Sequence, residues 1–93
     1  MIKKIYTVCT TGLGSSFYVE LNIKKVLQKH GLEADYLLSH SALFDMDWYE
    51  ADYVVVAKDM EAVIPDMVTK IVLGSIIDIK ELEEKLLRAL GDD

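Results

Sequence analysis

Tyr53-Val54-Val55-Val56-Ala57 is an unbroken apolar run without polar alternation. A strand with one wet face alternates polar and apolar residues, so a continuous run of this kind predicts a parallel strand covered on both faces. Working outward toward the N-terminus, residues 2–8 are short, rich in β-branched side chains and stop at a glycine-containing turn, which predicts a first strand. From about residue 15 to residue 30 the spacing changes. Val19, Ile23, Val26 and Leu27 fall at i, i+4, i+7 and i+8, one face of a helix, with Glu20, Asn22, Lys24, Lys25 and Lys29 on its other sides. Gly31 stands where a left-handed residue would end that helix. Residues 33–39, around Ala34, Tyr36, Leu37 and Leu38, read as the second strand, and Leu43, Phe44, Met46 and Trp48 suggest a packed loop or short helix within 41–50.

Toward the C-terminus, residues 59–67 predict a short helix broken near Pro65, because proline disrupts a helix interior. Lys70-Ile71-Val72-Leu73-Gly74 is the fourth strand. The last helix covers about 78–90: Ile79, Leu82, Leu86 and Leu90 form its stripe, and Glu81/Lys85 and Glu84/Arg88 are i, i+4 pairs with the acid first. Asp78 is placed to cap this helix and Gly91 to follow its last turn.

Strands that alternate with helices imply an α/β domain with a parallel sheet and right-handed crossovers. The expectation is one domain over residues 1–93, a three-layer αβα sandwich of Rossmann-like or flavodoxin-like type. Its four strands take the economical order 2-1-3-4, and the chain then reverses direction between strands one and three. Ligands of open α/β sheets bind at such a switch point, outside the carboxyl ends of the strands. Cys9 stands at that end of strand one.

Composition narrows the function classes. Ninety-three residues with 52% hydrophobic and 28% charged side chains make an ordinary globular balance. Ten Lys and Arg against sixteen Asp and Glu leave a net charge of -6, which argues against nucleic acid as a partner, since binding there rests on phosphate neutralisation. The one cysteine cannot form an internal disulfide, and no zinc-type Cys/His cluster is present, so neither metal nor cofactor is expected. No window approaches the roughly 18 apolar residues of a spanning helix, and no signal-peptide pattern follows Met1. A cytoplasmic protein is expected, with any membrane association coming through a partner.

The segment after the first strand reads Cys9-Thr10-Thr11-Gly12-Leu13-Gly14-Ser15-Ser16 and leads straight into the first helix. Its glycines allow positive φ, so successive amides can turn inward to form an anion-binding concavity. The helix N-terminus adds unpaired amides and the positive end of its dipole, and Thr10, Thr11, Ser15 and Ser16 add hydroxyl donors. The same donors favour thiolate over thiol, which makes Cys9 a candidate nucleophile. A lone cysteine at a strand end is more often an inert buried thiol; the Gly/Thr/Ser loop and the helix start are what favour the reactive reading here.

This run resembles the phosphorylation loop of the IIB components of the bacterial sugar phosphotransferase system. Together with chain length and element order it is similar to the ascorbate/galactitol group, although Thr10 stands where that group commonly has glycine. The resemblance implies that Cys9 accepts a phosphoryl group from a phosphohistidine of a IIA component. It implies further that Cys9 donates the group to a sugar held by a membrane-embedded IIC component, with residues Thr10, Thr11, Gly12, Leu13, Gly14, Ser15 and Ser16 cradling the phosphate.

Two other functions compete with this one. A low-molecular-weight protein tyrosine phosphatase needs an arginine six residues after its cysteine, where this chain has Ser15, and an Asp beside a proline, where Ile64 precedes Pro65. A non-catalytic phosphate-binding module remains open, without the Lys-Ser/Thr pair of a nucleotide loop. On the same edge, Lys58 and Asp59 follow the third strand and His40 follows the second; a solvated lysine and a capping or exposed histidine suffice for them. His30 sits near the end of the first helix, where the dipole favours a cation. Leu13 and Phe17, with Tyr18 beside them, lie off the helix stripe and suggest an apolar docking patch around Cys9, an inward-packed Phe17 being the alternative.

Overall fold

The computed structural model describes residues 2–9, 15–75 and 77–91, with the backbone alone at 9, 15 and 16. Four strands, β1 (Lys3–Cys9), β2 (Tyr36–Ala42), β3 (Tyr53–Ala57) and β4 (Thr69–Leu73), form one parallel sheet in the order β2-β1-β3-β4. Two α-helices, α1 (Ser15–Lys29) and α2 (Ile79–Gly91), complete the α/β fold with two 3₁₀ helices, Leu43–Asp45 and Lys58–Val63.

The strand period of two sorts β3 between two cores, as its uniform apolar run requires. Tyr53 and Val55 pack with Ile5, Ile71 and Leu73 against the helices, where Val19, Ile23, Val26 and Leu27 of α1 meet Leu82, Leu86 and Leu90 of α2. Val54 and Val56 face the other way, with Val8, Ala51, Met60, Ile64 and Val68. Both α-helices therefore lie on one face. The third layer of the expected sandwich is built from the 3₁₀ helices and packed connections, where Leu43, Met46 and Trp48 lean on the sheet.

Three residues depart from their expected environment. Asn22 is buried within α1, Ile79 opens α2 exposed to solvent, and Phe44, expected in a packed segment, is 89% exposed. Neither long helix departs by more than one residue from its expected span, but β2 begins three residues later than the pattern suggested. The reason is the turn out of α1. Gly31 takes φ +69°, Leu32 N–H donates to Leu27 O and Asp35 N–H to Leu32 O, so residues 31–35 close the helix before extended pairing starts. Pairing then runs from Lys3↔Tyr36 to Cys9↔Ala42. Asp52 fixes the start of β1 against the entry to β3: Lys4 N–H donates to its carboxylate at 2.7 Å, and Asp52 N–H returns a bond to Lys4 O at 3.0 Å.

Candidate functional site

The strand order reverses at β1, which pairs with β2 on one side and β3 on the other. Cys9 is its last residue, so the backbone places the cysteine at the carboxyl edge of the sheet at the switch point. Ser15 opens α1 directly beyond the connecting loop, and Ser16 follows in its first turn. The remaining candidate residues, Thr10, Thr11, Gly12, Leu13 and Gly14, lie outside the described residues, so the anion cradle read from them is a sequence expectation.

Around this position the other strands contribute their own carboxyl ends. Ala57 at the end of β3, Lys58 and Asp59 after it, and Gly74, Ser75 and Ile77 after β4 line an open hollow of about 650 Å³. Its floor is held by Glu81 of α2, whose carboxylate accepts from Gly74 N–H at 2.9 Å and Ser75 N–H at 3.0 Å and pairs with Lys85 at 2.9 Å. Lys85, with those two amides adding to it, lowers this carboxyl from 4.5 to about 2. Lys85 also donates to Val72 O at 2.7 Å, so one pair ties the loop after β4 to both its strand and its helix. The sequence pattern gives the Glu81/Lys85 pair; its reach to the loop amides depends on how α2 sits on β4.

His40 does not follow β2 but lies within it, opposite Thr7 and two residues before the Cys9↔Ala42 pair. The three-residue displacement of β2 accounts for this. Its Nδ1 is 3.1 Å from each carboxylate oxygen of Glu20 on α1, and its ring meets Phe17 edge-on at 5.8 Å. Sequence separation conceals this trio, although a correct parallel register would have placed His40 beside the first turns of α1. His30 and Lys29 at the end of α1 meet Glu83 of α2, each at 3.1 Å, which holds the Glu83 carboxyl below its ordinary range, His30 first and then Lys29.

Phe17 is 56% exposed, so it does not pack inward as core; Phe44 just beyond β2 and Ile77 before α2 are exposed on the same edge. Phe44 and Ile77 escape a sequence reading because apolar residues in short connections are usually covered by the core they join.

Fold and site together define a small parallel α/β domain whose cysteine sits where such sheets bind ligands. Residues 4–88 match the family model described as PTS system, Lactose/Cellobiose specific IIB subunit. The chain belongs to this family and is a IIB component of a sugar phosphotransferase system, a phosphoryl carrier, and membership implies IIA and IIC components as its partners in general. The description names lactose and cellobiose, a different group from the ascorbate/galactitol one that the loop resembles. No curated protein matches the chain. Among the described residues no helix is long and apolar enough to cross a membrane.

Proposed function

We propose that Cys9 is the phosphoryl-carrying residue. The observation that carries this reading is the place of the chain's single cysteine at the carboxyl end of β1, at the reversal of strand order, in a IIB-family domain. The Cys9 thiolate attacks phosphorus in the phosphohistidine of IIA; the S–P bond forms, the P–N bond breaks, and the donor imidazole regains its nitrogen lone pair. In the second step a hydroxyl of the sugar held by IIC attacks phosphorus. The O–P bond forms, S–P breaks, the thiolate is restored and the hydroxyl proton is released. Residues Thr10 to Ser16 supply amide and hydroxyl donors to the phosphate, and positioning with electrostatic stabilisation accounts for most of such catalysis. Ser15, where a phosphatase has arginine, leaves the phosphocysteine waiting for its acceptor.

The exposed Phe17, Phe44 and Ile77 offer apolar anchors around the edge for IIA and IIC, joined in this reading by Leu13. The domain spans residues 1–93 and works in the cytoplasm beside its membrane partner. For the sugar, the loop favours the ascorbate/galactitol group, and IIC makes the choice. Reconstitution with phosphoenolpyruvate, the general phosphotransferase proteins, IIA and IIC tests the relay, with cellobiose, lactose, ascorbate and galactitol as acceptors. Sugar phosphate should appear with wild type and be absent with Cys9→Ser; undiminished product from Cys9→Ser would refute the reading.

A further inference from the structure

We infer that His40 and Glu20 form a clamp that positions the acceptor loop for phosphoryl transfer, a role that rests on the Cys9 reading above. The loop after β1 has two anchors, Cys9 in the sheet and Ser15 at the start of α1. The seating of the first turn of α1 on the sheet therefore sets where the helix-side anchor stands. The apolar stripe that seats the helix begins at Val19, and Phe17 and Tyr18 ahead of it are exposed. His40 supplies two contacts that fasten this end of α1 to the strand next to β1: the edge of Phe17 at 5.8 Å and the carboxylate of Glu20 at 3.1 Å.

A carboxylate only accepts hydrogen bonds, so Nδ1 of His40 carries the proton and donates to both Glu20 oxygens. The pair is partly shielded, with side chains 35% and 21% exposed, so it is screened less than a fully exposed one. His40 itself sits opposite Thr7 in the strand that ends in Cys9. The trio thus ties the helix side of the loop to the strand side. His40 and Glu20 are positioning residues; neither exchanges a proton or a bond with the phosphoryl group.

The test measures single-turnover transfer from phosphorylated IIA to Cys9, together with backbone amide exchange over residues 19–22, whose N–H groups bond back to the first turn of α1. His40→Ala and Glu20→Ala should each slow transfer about ten-fold at saturating donor, the low end of the size expected for loss of a hydrogen bond to a charged group. The donor concentration for half-maximal rate should stay unchanged, the double variant should be no slower than the slower single, and exchange at 19–22 should rise. His40→Asn, whose amide occupies the position of Nδ1, should restore most of the rate. Unchanged exchange in His40→Ala, unchanged transfer despite faster exchange, or single effects that multiply in the double variant would each overturn the inference. Failure of the Cys9 reading is distinguishable: wild type would then take up no phosphoryl group on Cys9, while the exchange difference would still support the clamp.

Discussion

At the scale of single residues, Phe44 is the most informative surface side chain. A phenylalanine 89% exposed in a short 3₁₀ helix gives up the burial that stabilises aromatics elsewhere, and interfaces are where such residues gain it back. Phe44→Ser and Phe17→Ser should each slow transfer from IIA about ten-fold, as loss of an interface anchor does, and leave stability within about 0.5 kcal/mol of wild type. Parallel kinetics and urea melts check both parts; unfolding by Phe17→Ser would show that the ring belongs to the core. Glu20 and His40 teach a related lesson. Neither residue type carries a signal in sequence, and they become a pair only because β2 begins at Tyr36 and so carries His40 alongside α1.

At the scale of elements, the joint between β4 and α2 is held by charge. Asp78 Oδ1 accepts from Glu81 N–H at 3.1 Å, the N-cap expected from the sequence. Asp78→Ala should cost about 1 kcal/mol, seen as a fall of roughly 4–8 °C in Tm by calorimetry. Glu81 gives a pH signature. Its folded-state value of about 2 lies below the ordinary 4.5, so its stabilisation is complete above pH 4.5 and is lost as the pH falls toward 2. Urea midpoints of Glu81→Gln should therefore vary less with pH across that interval than those of wild type. Because the carboxylate is near solvent, added salt should shrink the difference. The strands were less legible than the helices at their ends. Glu33, Ala34 and Asp35 adjoin the strand run of Tyr36, Leu37 and Leu38 in sequence, yet the Gly31 turn uses them to close α1, and backbone bonds of a turn leave no periodic mark.

At the scale of the whole molecule, the strand order and the parallel α/β class were legible because β3 carries its two-sided burial in plain residue types, Val54 and Val56 toward one core and Tyr53 and Val55 toward the other. The composition of the third layer was not: Met60, Ile64 and Val68 cover the sheet at i, i+4 and i+8, the spacing of a helix face, yet only a 3₁₀ helix over Lys58–Val63 forms, and Pro65 forbids a longer helix there. On the helical side of the sheet Leu86 is fully buried. Leu86→Ala should cost about 2–5 kcal/mol, a large part of the roughly 5–15 kcal/mol typical of whole proteins, and urea unfolding measures it. The position of Cys9 follows from the same architecture, since parallel pairing puts every carboxyl end on one edge and the reversal at β1 makes that strand's end the switch point. The most direct measurement is site-resolved mass spectrometry of the chain after phosphorylation by IIA. The prediction is one phosphoryl adduct on Cys9, absent from Cys9→Ser; an adduct on His30 or His40, or equal labelling of Cys9→Ser, would contradict it.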